Sequence, residues 1–200
     1  EGPEAFPNKT EDPVAAIVKH SAAIQKHTSR SVDPTEDIVL SLTQIHTGSA
    51  ENIVPETAFL GGTVRTFNEA VRNHVEKRLR ATCQGIADAF GVKVDLKYIR
   101  EYPATINHGD EARFAANVAM GVAGADRVDP DVERYMGSED FAFFLQSCPG
   151  AYLFIGNGES AGLHSAQYDF NDEASAWGAS FFAQLVEDAL PLPSSAREVA

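Results

Sequence analysis

A chain of 200 residues makes one large domain or two small ones. With 44% hydrophobic and 22% charged residues it can bury a core, and it is not the charge-rich, apolar-poor kind that stays disordered. Acidic residues outnumber basic ones 29 to 16, and a formal charge of -13 repels phosphate backbones and anionic bilayers, which excludes nucleic acid and membrane as expected partners.

Asp12 and Pro13 open the first element, since Asp caps a helix and Pro fits the first helical position, where its missing N–H costs nothing. Val14, Ile17, Val18, Ser21 and Ile24 recur at helical spacing and carry the helix to about Arg30. Residues 31–37 are a turn-rich connection around Pro34. Ile38, Leu40 and Leu42 then alternate with smaller or polar residues, predicting a strand that ends near Ile45 and His46. After a loop with Gly48 and Asn52, residues 57–67 read as a second strand, in which Gly61 and Gly62 predict a bulge or a close backbone approach. Val71, Val75, Leu79, Cys83, Ile86 and Phe90 draw one apolar stripe ending at Gly91, the residue suited to a left-handed helix cap. Val92, Val94, Leu96 and Tyr98 alternate with Lys93, Asp95 and Lys97, predicting a strand with one wet face.

Residues 103–110 read as a linker, because the alternation stops and Pro103, Asn107, His108 and Gly109 form turns or hinges. A short Ala-rich helix follows over 111–122, with Phe114 and Val118 expected inward. Ser138 is placed as the cap of a further helix whose first turn carries Glu139 and Asp140. The apolar run Ala151 to Ile155 suits a strand buried on both faces. Trp177, Phe181, Leu185 and Val186 stripe a last helix that Pro191 ends. No apolar run approaches the ~20 residues that cross a bilayer. Cys83 and Cys148 are too few and too far apart for a disulfide scaffold, so a reducing cytoplasm is the expected compartment.

The stretch richest in chemistry is Gly156 to Asn171, GNGESAGLHSAQYDFN, where an apolar run enters a loop with three glycines, one histidine and two acids. His164 is a candidate metal ligand or general base there, set against the plain reading of a surface-loop histidine. Glu139 and Asp140 read either as paired carboxylates for acid–base work or as ordinary first-turn acids. His46, Asn52 and Arg65 sit at strand ends or on a strand. A guanidinium can grip a carboxylate with two parallel hydrogen bonds, although a solvated Arg is commoner. No histidine or cysteine pair has zinc-ligand spacing.

Taken together, DPVAAIV, QIHTGSAENIVPETAFLGGTVRTF, MGSEDFAFFL, PGAYLFIGNG and LHSAQYDFNDEA resemble the hippurate hydrolase and N-acyl-amino-acid amidohydrolase group of di-metal peptidases. That group includes the plant auxin-conjugate hydrolases, and aminoacylase, carboxypeptidase G and succinyl-diaminopimelate desuccinylase are more distantly similar. The resemblance covers nearly the whole chain, in order. It implies a mixed α/β architecture: residues 1–103 as a ferredoxin-like, α+β lid and dimerisation domain lacking most of its first strand, and residues 104–200 as the C-terminal part of an α/β metallopeptidase catalytic domain. Relatives open the lid with a Gly-His-Ala-x-x-Pro pattern where this chain has Gly2-Pro3-Glu4-Ala5-Phe6-Pro7, so the histidine is replaced by proline. The half that carries the Cys-Gly-His-Asp motif, a Glu-Glu pair and a further histidine ligand has no counterpart in these 200 residues.

By the same resemblance the reaction is cleavage of the amide bond of a small N-acyl amino acid, served by two divalent ions (zinc, manganese or cobalt), in a homodimer joined through the lid. His164 matches a metal ligand. Asn52 and Arg65 match groups that bind the substrate's oxyanion and carboxylate, and His46, Ser138 and Gly156 complete the expected substrate-binding set. No catalytic residue is matched, so the chain alone is expected to be inactive and, lacking a central strand, to fold poorly. The alternative is a truncated or degenerate homologue that acts as a dimerisation or ligand-binding module.

Overall fold

In a computed structural model that describes residues 2–3, 11–30 and 36–192, the chain separates into two compact units. One comprises Glu1–Ala104 with Met136–Ser138, the other Thr105–Tyr135 with Glu139–Ala200. The architecture is mixed α/β.

The first unit opens with a two-residue strand, β1 (Gly2–Pro3), followed by helix α1 (Pro13–Arg30). The side chain of Asp12 accepts from the backbone N–H groups of Val14 and Ala15 at 2.9 and 3.0 Å, so the expected cap forms. Ala16, Ile17 and Ile24 are the buried stripe, whereas Val14 and Val18, expected inward, are exposed. Strands β2 (Ile38–Thr47), β3 (Ile53–Val54) and β4 (Ala58–Thr66) follow, then helix α2 (Glu69–Phe90). Strand β2 pairs antiparallel with β4, and β1 with β3, in two separate two-stranded sheets. Residues 4–10 and 31–35, on which the lost first strand and the Pro34 turn were placed, lie outside the described residues.

The register of β2 and β4 breaks between Leu42 and Gln44, where Thr43 is the extra residue of a bulge. Gly62 pairs with Leu42, and a Cβ on it would stand 2.4 Å from the carbonyl oxygen of Ser41. Glycine is therefore required by a close approach of two backbones, as the sequence suggested. Before the bulge Ile38, Leu40 and Leu42 are half-buried, and α1 lies against both β2 and β4. Beyond it Gln44, Ile45 and His46 are exposed.

Asn68 caps α2 by accepting from the Val71 N–H at 2.8 Å, and Gly91 ends it at φ 67°, the left-handed conformation that glycine enters without a Cβ clash. Val75 and Cys83 are buried on the stripe facing α1. Across that interface Cys83 Sγ lies 3.5 Å from His20 Nε2. Burial pushes the His20 imidazole below its ordinary pKa and the Cys83 thiol above its own.

Residues 92–98 correct the sequence reading. Val92, Val94, Leu96 and Tyr98 are half-buried and Lys93, Asp95 and Lys97 exposed, the alternation of a strand, yet no backbone hydrogen bond joins this stretch to another described residue. Among the described residues the segment pairs with no strand. Arg100, just beyond, fastens it to α2 instead. Its Nε donates to Glu76 Oε2 at 2.9 Å, its Nη2 to Asn73 Oδ1 and Glu76 Oε2 at 2.6 Å each, and its Nη1 to Glu69. The Arg100 and Arg80 guanidinium groups hold the Glu76 carboxyl below the ordinary carboxylate range.

The second unit contains α3 (Gly109–Ala123), a 3-10 turn (Ala125–Arg127), α4 (Phe141–Ser147) and α5 (Glu173–Ala189), with α3 packed on α5. Ala115, Val118, Ala142, Leu145 and Ala174 are its buried apolar residues. Phe114, expected inward, is exposed, and Ala115 takes the buried position beside it. On α5, Phe181 and Leu185 are half-buried while Trp177 and Val186 are exposed. The run Ala151 to Ile155 is a second correction, since it forms no strand. Only its start is held: Asn107 Oδ1 accepts from the Tyr152 N–H at 2.7 Å and Asn107 Nδ2 donates to the Tyr152 carbonyl at 2.9 Å. Phe154 and Ile155 are left 64% and 53% exposed, so the expected two-sided burial is absent among the described residues.

Two expectations follow. Gly62→Ala forces β2 and β4 apart at the bulge and should destabilise the first unit by about 1–3 kcal/mol, read as a lower urea midpoint. Because His20 binds a proton less readily folded than unfolded, it subtracts stability as pH falls below about 6.5, the unfolded value. Between pH 7.5 and 5.5 the wild-type urea midpoint should therefore fall more steeply than that of His20→Gln. Parallel slopes would show that His20 titrates normally.

Candidate functional site

Arg65 lies on β4, opposite Val39 of β2. It is half-buried, and its Nη1 donates to the Met136 carbonyl at 3.0 Å and to the Ser138 hydroxyl at 2.7 Å. Both acceptors belong to the same compact unit as β4. Both are neutral, so the guanidinium charge is oriented without being neutralised. Its Nε and Nη2 groups have no partner among the described residues. That edge of the fork presents two parallel N–H donors, the arrangement that matches a carboxylate bidentately.

This geometry corrects the reading of Ser138. Its hydroxyl serves Arg65 rather than capping a helix. Helix α4 starts three residues later, at Phe141, with Asp140 in the cap position and no side-chain cap bond. The acids after Ser138 are also engaged. The Tyr152 hydroxyl donates to Glu139 Oε2 at 2.9 Å and, together with the Asp140 side chain, holds the Glu139 carboxyl below its ordinary pKa. Burial first, and this carboxylate second, push the Tyr152 hydroxyl up. Tyr152 also packs against Phe141 and Phe154, with ring centroids 5.6 and 5.4 Å apart.

The other candidates of the first unit are not gathered around Arg65 by any described contact. His46 stacks on Phe59, its partner across β2 and β4, with centroids 6.1 Å apart. Asn52 is exposed in the turn before β3 and makes no hydrogen bond with another described residue.

In the second unit, Gly156 and His164 share one loop. A Cβ at Gly156 would meet nothing within 4 Å, so the structure supplies no steric reason for glycine there. His164 is exposed, and its imidazole has no partner among the described residues. Its backbone is unusual: φ is 67°, the one positive value at a non-glycine position among the described residues. The Ser165 N–H donates to the Gly162 carbonyl at 3.1 Å, so His164 is the third residue of a tight turn of the kind that ordinarily takes Gly or Asn there. Asn157, which sequence reasoning passed over, spans this loop. Its Nδ2 donates to Ser160 Oγ at 2.9 Å and to the Asp169 carbonyl at 2.7 Å, and its Oδ1 accepts from the Asn171 N–H at 2.7 Å. An asparagine between two glycines at the end of an apolar run was the available signal.

A free, exposed imidazole suits a metal, but nothing completes the set. Among the described residues no group of three or more His, Cys, Asp or Glu side chains is placed to hold a metal ion. These residues do not make a dinuclear centre by themselves. No helix among them is long and apolar enough to cross a membrane.

Comparison with known proteins places this geometry in context. The model of peptidase family M20/M25/M40 matches residues 7–188. The chain is 33% identical over 184 residues to hippurate hydrolase of Campylobacter jejuni, covering 92% of this chain and 48% of that enzyme. It is 29% identical over 184 residues to N-acetylcysteine deacetylase of Bacillus subtilis, covering 92% and 48%. Among solved structures, one of an aminohydrolase from methicillin-resistant Staphylococcus aureus superposes with a TM-score of 0.79 at 24% identity, over 94% of this chain and 49% of that one. A dinuclear metal-binding peptidase of family M20 from Bacillus subtilis superposes at 0.72 with 25% identity, over 93% and 48%. The chain thus spans about half the length of the relatives it matches.

The positive φ at His164 yields an expectation of its own. Alanine keeps the strain and glycine relieves it, so His164→Gly should be more stable than His164→Ala by about 1 kcal/mol. Equal thermal midpoints for the two variants would show that the turn relaxes in solution.

Proposed function

This chain belongs to peptidase family M20/M25/M40, and we propose that it is the carboxylate-binding and lid portion of a metal-dependent amidohydrolase that cleaves the amide bond of N-acyl amino acids. The observation that carries the reading is Arg65. It is a half-buried guanidinium fixed by two neutral acceptors, Met136 O and Ser138 Oγ, with a bidentate edge left over. A group so placed recognises the free carboxylate of an acyl amino acid and fixes its register, so that the scissile amide lies at a set distance along the substrate. A likeness to hippurate hydrolase and to N-acetylcysteine deacetylase agrees with that class of substrate.

In this reading Ser138 is the positioning partner of Arg65, Asn52 offers an amide to the substrate's oxyanion, and His46 and Gly156 belong to the substrate-binding set. His164 is the one metal ligand among the described residues, and when two divalent ions are bound they supply the activated water of hydrolysis. The further ligands come from outside the described residues, so no chemical step is assigned to residues of this chain. Two copies pair through residues 1–103, where β2 and β4 form a two-stranded sheet among the described residues with Ile45 and Phe59 exposed. Residues 104–200 are the C-terminal part of the catalytic domain, and two free cysteines suit a cytoplasmic setting. The alternative, a non-catalytic dimerisation or ligand-binding module, draws on the absence of a metal cluster among the described residues.

The test combines binding and turnover on one preparation. Titrated by NMR, N-benzoylglycine should shift the Arg65 side-chain resonances with a Kd of roughly millimolar order, the strength of one bidentate contact and little else. The corresponding glycinamide should not, and the shifts that the acid also causes at the backbone amides of Thr66 and Ser138 should be lost in Arg65→Ala. Equal shifts from acid and amide would overturn the assignment of Arg65. With zinc, manganese or cobalt supplied, the chain alone should release no benzoate. Turnover that a chelator abolishes would show that its own residues complete the metal centre.

A further inference from the structure

We infer that Asn157 is the positioning residue of the His164 loop: its single side-chain amide closes residues 158–170 into a clasp that holds His164 in its left-handed turn. The inference rests on the reading of His164 as the functional group of this loop, but its geometry is independent of any metal.

Three facts carry it. First, the Asn157 amide is nearly saturated. Both N–H donors and one acceptor lone pair are used, on Ser160 Oγ, the Asp169 carbonyl and the Asn171 N–H, at 2.7–2.9 Å. Two of these partners lie 12 and 14 residues away, at the far end of the loop, so one side chain joins both ends. Second, the far end is itself fixed. Asn171 Oδ1 accepts from the Glu173 N–H at 3.1 Å where α5 begins, so Asn157 ties the loop to the start of a long helix rather than to another loop. Third, the loop has little else to hold it. Leu163, His164, Ser165, Ala166 and Gln167 are all exposed, and the remaining loop bonds among the described residues are local ones at Ser160 and around Ser165. A strained φ at an exposed residue persists only where the surroundings over-determine it. Among the described residues the exposed stretch 162–167 offers little packing to do so, and the clasp is the feature that removes the loop's freedom.

The chemistry needs an asparagine in particular. Aspartate keeps the acceptor for the Asn171 N–H but loses both donations and brings a carboxylate onto the Asp169 carbonyl. Alanine loses all three contacts. Glutamine has the groups but carries them one methylene too far for all three distances.

Hydrogen exchange and NMR on the full chain test the assignment, with no metal or substrate present. In Asn157→Ala, the hydrogen-bonded amides of Ser165, Gln167, Tyr168 and Asn171 should exchange about tenfold faster or more, the equivalent of one or two net hydrogen bonds. The Cα and Cβ shifts of His164 should leave their left-handed values, while α3 and α5 exchange as in the wild type. Asn157→Asp should fall between the two. Unchanged loop exchange, or His164 shifts that stay put in Asn157→Ala, would overturn the assignment. So would a uniform rise through α3 and α5, which would mean that Asn157 stabilises the unit rather than the turn. None of these readouts touches Arg65 or the carboxylate titration, so the clasp and the amidohydrolase reading can fail separately.

Discussion

Extended backbone has to find partners for its N–H and C=O groups, and in this chain side chains take over where no neighbouring strand is present. Asn107 does so for the start of the 151–155 run, exchanging two hydrogen bonds with the backbone of Tyr152 as a strand neighbour would. Asn157 does so for the loop that carries His164. Each substitution satisfies one or two residues and leaves the next ones open, which is why Leu153 to Ile155 run on exposed past the reach of Asn107. The positions of the His164 turn and of Tyr152, and through Tyr152 of Glu139, all depend on these few amide contacts.

This dependence explains what was legible in the sequence. Helices carry their instructions locally. Asp12 with Pro13, Asn68 with the Val71 N–H, and Gly91 at φ 67° each act within one turn, and all three appear where periodicity and capping place a boundary or just beside it. Strands do not. Val92 to Tyr98 has a strand's alternation and even a strand's alternating burial, but a ladder is a property of two segments, and only one of them is in the pattern. Gly62 was readable because a glycine pair in a strand implies a close approach whatever the partner is. The extra residue of the bulge, Thr43 on the opposite strand, carries no mark of its own.

The site divides along the same line. Ser138 before two acids looks like a helix cap, and nothing nearby in sequence says that its hydroxyl answers to an arginine 73 residues away. Asn157 has partners 12 and 14 residues on, beyond the reach of any local pattern. His164 was visible as a histidine in a glycine-rich loop, but its positive φ was not, since histidine has no systematic need for it. The family resemblance supplied what local reasoning could not, because it compares whole ordered sets of positions. It could not supply contacts, and those changed the role of Ser138 and brought Asn157 forward.

Charge makes the case for Arg65 sharper. In a chain with 29 acidic and 16 basic residues, an arginine has carboxylates to choose from. Arg72, Arg80 and Arg113 each bridge to one, and Arg100 to two. Those pairs lie on helix surfaces, where solvent screens them and each contributes little. Arg65 is half-buried, held by a carbonyl and a hydroxyl that orient it without cancelling its charge. Desolvating a guanidinium without a counter-ion costs free energy, and folding gains nothing from the arrangement that a neutral residue would not give more cheaply. An incoming carboxylate offsets that cost on binding. In the proposed function, the unneutralised charge that is a liability to the free chain is what would give the site its preference for an acid over its amide.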